Sequence, residues 1–309
     1  MAINSIHVQA LDEVIRAEPA RPAASLPISV IIPVRNESRN LARCLESLRG
    51  CGEVFVIDSQ SQDDTIEIAR ASGAQVVQFH YHGGWPKKRQ WALDTLSFSH
   101  EWVLLLDADE ALTPELTNEI RQAIREPEYD GYYIELCMHF LGQQLRRASA
   151  GFYKLSLFRR GKGHFECRLK DQDSSMGDAE VHEHVVVPGK TGKLRNAISH
   201  HNVESLSRYI RKHDEYSNWE AQTWLHRDAG HEDLPPWLFG NQAQRRRWLK
   251  TKFLRLPGSP ALFFLYKYFL RFGFLDGVPG LIYCGFQGIQ FFHIKAKIYE
   301  AKMRAEGAL

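Results

Sequence analysis

Trp102-Val103-Leu104-Leu105-Leu106-Asp107-Ala108-Asp109 is the stretch on which the fold turns. Its first five residues are apolar without alternation, the pattern of a strand buried on both faces of a sheet. The carboxylates that follow emerge at the strand's carboxyl end, where ligands bind in an open α/β sheet. Two carboxylates this close repel each other and resist desolvation until a counter-charge arrives. A divalent cation shared with phosphate oxygens supplies such a charge. A strand end with two solvated aspartates fits the triplet equally well, so the surrounding sequence has to decide.

Upstream, Ile28-Ser29-Val30-Ile31-Ile32-Pro33 reads as a buried strand. A helix follows, with Glu37 and Ser38 near its start and Leu41, Leu45 and Leu48 on its apolar face. Glu53-Val54-Phe55-Val56-Ile57-Asp58 is a second strand, residues 65–72 a helix closed by Gly73, residues 74–79 a short strand and residues 86–96 a helix. This β-α-β-α-β alternation predicts parallel strands with right-handed crossovers. From Gly131 the pattern changes. Residues 131–136 and 154–158 read as strands extending the same sheet, 161–178 as a polar loop and 205–225 as a helix. Residues 1–26 read as a peripheral segment and 27–225 as the main α/β domain.

The 309 residues suffice for one large domain and an appendage, and 25% charged with 44% hydrophobic residues is ordinary for a folded protein. A net charge of +2 singles out no partner and gives no sign of nucleic acid. Five cysteines without CxxC spacing fit a reducing compartment and no zinc site. Residues 3–14 are too polar for a signal-peptide core, and no apolar stretch has the length of a transmembrane span. Arg245-Arg246-Arg247, Lys250, Lys252 and Arg255 form a basic cluster without acids nearby in sequence. Residues 260–274 and 278–294 are dense in aromatic and aliphatic side chains, with Lys267, Arg271, Lys295 and Lys297 among or beside them. Such segments suit a membrane interface, here across residues 257–297. They also suit packing on the core or on a second copy in a homo-oligomer. A re-entrant hairpin around residues 277–280 is a further reading. Residues 226–309 are thus expected to be a helical region that is membrane-interfacial or oligomerising.

Four clusters converge on the strand ends. Pro33-Val34-Arg35-Asn36-Glu37 follows the first strand, and Asp58-Ser59-Gln60-Ser61-Gln62-Asp63-Asp64-Thr65 the second. Their carboxylates and hydroxyls can hydrogen-bond a base and a ribose. Lys87-Lys88-Arg89 can meet phosphate oxygens, and Asp107-Ala108-Asp109 completes the set. Singly, each has a plainer explanation: Asp63 or Thr65 as a helix cap, the basic run as a solvated helix face. No glycine-rich phosphate loop is present.

The order of these motifs resembles glycosyltransferase family 2. The resemblance lies in Ile28–Pro33 through Asn36-Glu37, then Asp58-x-x-Ser61-x-Asp63-x-Thr65, then Asp107-Ala108-Asp109. More narrowly, Gly84-Trp85-Pro86-Lys87-Lys88-Arg89-Gln90, Leu157-Phe158-Arg159-Arg160-Gly161 and Val181-His182-Glu183 are similar to the lipopolysaccharide-core β-1,4-glucosyltransferase branch. The resemblance implies an α/β GT-A fold, in which a nucleotide-sugar-binding mixed sheet is flanked by helices. It also implies inverting transfer from a nucleoside-diphosphate sugar, UDP-glucose or a similar UDP-hexose, to a lipid-linked or lipopolysaccharide-type glycan. Such an enzyme would work on the cytoplasmic face of the inner membrane.

On that basis Pro33, Arg35, Glu37, Asp58 and Ser61 would hold the nucleoside, and Lys88 and Arg89 would approach the diphosphate. Asp107 would serve donor and metal, and Asp109 would be the firmer ligand of Mg²⁺ or Mn²⁺. Arg35, where tyrosine is common, and Gln90, where many relatives carry asparagine, depart from the family pattern. Inversion also needs a base near the acceptor hydroxyl. Glu183 occupies the motif position for it, and Asp178 is the alternative; an exposed strand residue is the plain reading of Glu183. His182 and His184 share one strand face, as a metal site would allow, but lack two further ligands. His200 resembles a recurrent family histidine at the metal or diphosphate, and a satisfied core histidine fits it equally well. A sugar nucleotidyltransferase and a non-enzymatic nucleotide-sugar-binding module at a membrane are the other classes considered. The former usually opens with a glycine-rich loop, which residues 33–40 lack.

Overall fold

The structure, a computed structural model, describes residues 25–125, 128–168, 178, 180, 183–202, 205–226 and 234–309. Most of the peripheral segment expected over residues 1–26, and Val181 and His182, lie outside these. A nine-stranded mixed sheet forms the centre. Its parallel half contains β1 (Leu26–Val34), β2 (Cys51–Asp58), β3 (Gln75–Gln78) and β4 (Trp102–Leu105), in the order β3-β2-β1-β4. Helices α1 (Ser38–Ser47), α2 (Thr65–Ala71) and α3 (Lys88–Thr95) connect them. The central strands β1 and β4 are continuously apolar because both faces are covered. Ile28, Val30 and Ile32 pack with Leu104 and α1 on one side, and Ile31 packs with Val103, Leu105 and Ala92 of α3 on the other.

Beyond β4 the direction changes. The short β5 (Glu110–Ala111) and helix α4 (Pro114–Ala123) precede β6 (Gly131–Phe140), β7 (Gln143–Gln144), β8 (Tyr153–Arg159) and β11 (Thr191–Asn202). β8 runs antiparallel to β4, β6 antiparallel to β8, and β11 parallel to β6. β5 returns to pair with β11, His200 opposite Glu110, so the sheet curls and carries the residues just after β4 to its far edge. The polar stretch expected as a loop over residues 161–178 contains a strand, β9 (His164–Phe165), paired with β10 (Val185–Val186).

Ser205 caps α5 (Leu206–Leu225), its side chain accepting from Arg208 N. Helices α6 (Gln242–Arg255), α7 (Ser259–Leu265) and α8 (Gly277–Ala305) follow, with a π turn and a 3₁₀ turn between the last two. Gly277 opens α8, so residues 277–280 form a helical first turn rather than a hairpin. Close approach fixes two glycines. A Cβ on Gly288 would come 2.9 Å from the Pro260 carbonyl, and one on Gly280 would overlap the Gly273 carbonyl. α8 packs on α5 through Tyr209, Tyr283 and Cys284 at one end and Ala221, Ile294 and Ile298 at the other. Among the described residues no helix is long and apolar enough to cross a membrane. All five cysteines are free.

Candidate active site

The loops at the carboxyl ends of β1 and β2 are stitched to each other. Asp58 ends β2 fully buried, and a buried carboxylate needs donors. It receives the Ser61 N–H (3.0 Å), the Ser61 hydroxyl and Gln78 Nε2 (3.0 Å). Ser61 Oγ accepts the Asn36 N–H (2.8 Å), and Asn36 Oδ1 accepts the Gln62 N–H (2.8 Å). Asn36 sits at φ 55°, a left-handed conformation asparagine tolerates. Thr65 Oγ1 accepts the Glu37 N–H (2.8 Å) and Asp63 accepts the Ser38 N–H (3.2 Å). Asp63 and Thr65 therefore bind the entry of α1 as well as that of α2. Pro33 lies half-buried in β1, and Arg35 is exposed in the loop after it.

Neither aspartate after β4 is a freely solvated strand end. Asp107 is gripped by Arg89 Nη2 on one oxygen and by Lys154 Nζ (2.9 Å), from β8, on the other. Burial pushes its carboxyl up, but the two cations outweigh this and hold it well below the usual carboxylate range. Lys154 also faces the fully buried Glu110 at 3.4 Å, and Glu110 accepts the Asp107 N–H (2.8 Å). Burial raises the Glu110 carboxyl despite that cation. Asp109 meets His200 Nε2 at 3.2 Å. Burial opposes the charged imidazole of His200, yet Asp109 prevails and its pKa is raised. Arg89 completes the set, donating to the Glu180 carbonyl (3.1 Å).

The other candidate residues lie around this network. Lys88 is buried, donating to the Val34 carbonyl (2.8 Å) and pairing with Asp178 (3.0 Å). Burial pushes the Asp178 carboxyl up, but Lys88 more than offsets this and lowers it. Glu183 is buried rather than exposed, and its charge acts on the buried Lys87. Glu37 joins the loops to α5 through Arg208 (3.3 Å). His184 pairs with Glu166 (2.9 Å), which also takes Arg247 (2.6 Å), so His184 serves the hold on α6. Thus Arg247, and Lys250 through Glu220, have acids nearby in space that their sequence neighbourhood lacks.

Lys154, Glu110 and Glu180 escaped sequence reading. A lone lysine in the apolar strand Tyr153-Lys154-Leu155-Ser156-Leu157-Phe158, and a third acid directly after Asp109, were the available signals. Among the described residues no group of three or more His, Cys, Asp or Glu stands ready as a complete metal cage. The Asp109–His200 pair nevertheless suits Mg²⁺ or Mn²⁺, which take few protein ligands when phosphate and water complete the shell.

Residues 29–177 match the model of Glycosyl transferase family 2. A glycosyltransferase of Rickettsia prowazekii is 30% identical over 200 residues, covering 63% of this chain and 67% of its own. The lipopolysaccharide core biosynthesis glycosyltransferase LpsC of Rhizobium meliloti is 26% identical over 290 residues, 89% of this chain and 93% of its own. In fold, the chain is similar to a mannosyltransferase from Pyrobaculum calidifontis solved with GDP-Man and Mn²⁺ (TM-score 0.52, 16% identity, 90% of this chain and 88% of that one).

Proposed function

The chain belongs to glycosyltransferase family 2, and from that premise we propose an inverting, metal-dependent transferase moving a hexose from a UDP-sugar such as UDP-glucose to a lipid-linked or lipopolysaccharide-type glycan. The observation that carries this reading is the pair of carboxylates after β4 with two different fates. Asp107 is committed to Arg89 and Lys154, while among the described residues the ion pair of Asp109 is with His200, the Lys212 charge acting on it as well. The lipopolysaccharide role of LpsC supports the acceptor class.

In this reading Pro33, Arg35, Glu37, Asp58 and Ser61 line the nucleoside site. Asp58 and Ser61 are already hydrogen-bonded together, so the pocket requires little ordering when the donor arrives. Asp109 and His200 would hold the divalent cation, with Asp107 fixed beside them by its ion pairs. The cation, when bound, supplies Lewis-acid neutralisation of the departing diphosphate. Lys88 and Arg89 add positive field at the same place while retaining Asp178 and Asp107. The acceptor oxygen forms its bond to the anomeric carbon as the carbon–oxygen bond to the diphosphate breaks. The electron pair leaves on the diphosphate, and the hydroxyl proton passes to the Glu183 carboxylate. Glu183 is preferred to Asp178 because the lowered Asp178 carboxyl, paired with Lys88, is the weaker base.

The test is release of nucleoside diphosphate from a donor panel, with and without Mn²⁺, in the presence of glycolipid acceptors. Metal-dependent UDP release is expected. Pyrophosphate release from a nucleoside triphosphate and a sugar phosphate would instead make the protein a nucleotidyltransferase. Donor binding without turnover on any acceptor would leave a binding module.

A further inference from the structure

Residues 234–299 carry ten lysines and arginines and one acid, Asp276. That acid is turned inward, accepting the N–H groups of Arg146 (3.0 Å), Arg147 (2.9 Å) and Ala148 (2.7 Å). Arg247, Lys250 and Lys297 find carboxylates on neighbouring elements. Arg246, Lys267 and Arg271 do not: among the described residues none of the three forms an ion pair. The charges of the three act on one another, and two of them meet on one loop. Arg246 donates to the Gly151 carbonyl (2.6 Å) and Arg271 to the Ala150 carbonyl (2.7 Å), and Lys267 lies 5.6 Å from the Tyr283 ring centre. Burial, with the charges of Arg271 and Arg246 adding to it, brings the Lys267 ammonium down to about 8. The carboxylate nearest this loop, Glu135, is given to the Gly151 N–H (2.7 Å) and forms no ion pair with the three. Cations held together in this way repel one another, and an anion relieves that repulsion.

Beside them the turn between α7 and α8 is apolar and open. Phe269 is 52% exposed, Leu270 73% and Phe272 52%. Tyr268 contacts both Phe269 (ring centres 5.1 Å) and Phe274 (6.2 Å), so the aromatics form one patch. Phe272 holds φ 58°, an uncommon conformation for a bulky residue, and that turn presents its ring outward. An apolar patch rimmed by unpaired cations, without a solvent-facing acid across 66 residues, matches an anionic lipid surface.

We propose that Arg246, Lys267 and Arg271 form a phosphate site for an anionic lipid headgroup, with Phe269, Leu270 and Phe272 entering the acyl boundary beside it. This deepens, and rests on, the reading of a lipid-borne acceptor. It also narrows the membrane contact expected over residues 257–297 to this turn and the facing end of α6. The loop that the two arginines grasp leads directly into β8. Lys154 lies three positions after Gly151, about 10 Å of extended chain. Headgroup binding therefore sets the membrane plane a short glycan's reach from the Asp107–Lys154 network.

The test is cosedimentation of the full chain with vesicles of phosphatidylcholine alone and of equimolar phosphatidylcholine and phosphatidylglycerol. Binding to the anionic vesicles only is expected. Arg246→Gln with Lys267→Gln should weaken it about 25-fold, at about fivefold per cation. Phe269→Ser with Leu270→Ser should weaken it independently. Both variants should keep UDP binding and thermal stability, which shows that they fold. Equal binding to neutral vesicles, absence of pelleting, or undiminished binding by both folded variants would overturn the proposal. So would inorganic phosphate displacing the protein from vesicles at concentrations too low to screen charge, which would make this a free-phosphate site. If UDP release fails while vesicle binding holds, the enzymatic reading is at fault; the converse outcome removes only the lipid site.

Discussion

The strand-end region and the C-terminal third treat charge in opposite ways. Around β4 nearly every ion has its counter-ion: Arg89 and Lys154 on Asp107, His200 on Asp109, Lys88 on Asp178. Across residues 234–299 cations far outnumber acids, and the single acid is spent on backbone amides. A site that must receive a diphosphate together with a metal gains from being near neutral and rigid beforehand, because both charges of the incoming pair arrive at once. A surface that must find an extended anion gains from leaving its cations uncompensated. On the proposed reading, charge pairing distinguishes a site for chemistry from a surface for attachment.

The sharpest way to break the comparison is at Asp109. Asp109→Ala is expected to abolish metal-dependent turnover and to remove Mn²⁺ binding measured by electron paramagnetic resonance in the presence of UDP. Near-normal Mn²⁺ affinity would show that the two aspartates do not differ as described. Glu183→Gln comes next, with transfer slowed about 10²- to 10⁴-fold and UDP binding unchanged by calorimetry. Loss of UDP binding instead would move Glu183 to the donor side.

Lys154 tests whether neutrality itself matters. Lys154→Met leaves Glu110 and Asp107 facing each other with one cation fewer and should cost about 3 kcal/mol in urea denaturation. Lys154→Arg should restore most of that stability. If Met is tolerated without loss, the strand-end pairs are incidental.

The smallest expected effect is seen in acid, at the join between the two regions. Burial pushes the Glu166 carboxyl up, but hydrogen bonds from His184 and Arg247 outweigh this and hold it at about 2. A folded pKa below the unfolded value near 4.5 stabilises the protein above pH 4.5. That stability is lost as pH falls from there towards 2. The contribution is about 3 kcal/mol at most, and Glu166→Gln should remove it at neutral pH and flatten the acid limb of the stability profile. An unchanged acid limb would mean that the Glu166 contacts contribute nothing to holding α6.

Much of the fold was legible because its signals are local. The unbroken apolar runs of β1 and β4 identify strands covered on both faces, and Ser205 before Leu206 marks the start of α5. Gly73, at φ 77°, ends α2 where a left-handed residue is needed. The strand-end motifs were legible for the same reason, since each follows its strand directly. The short β9 escaped because two residues of pairing leave no periodicity to detect. The inward turn of Asp276 escaped because its partners, the amides of Arg146, Arg147 and Ala148, lie 128 to 130 positions away.

The sequence by itself determined a parallel β-α-β-α-β core, acidic and hydroxyl groups at its strand ends, and an aromatic, basic C-terminal third. Periodicity, caps and unbroken apolar runs are properties of neighbouring residues. Only the tertiary structure decided that Asp107 and Asp109 have different partners. Lys154 reaches Asp107 from 47 residues away, and the curl of the sheet sets His200 opposite Glu110. It also decided which C-terminal cations are neutralised, because pairing depends on distance in space, and a short-range Coulomb contact leaves no trace in local sequence.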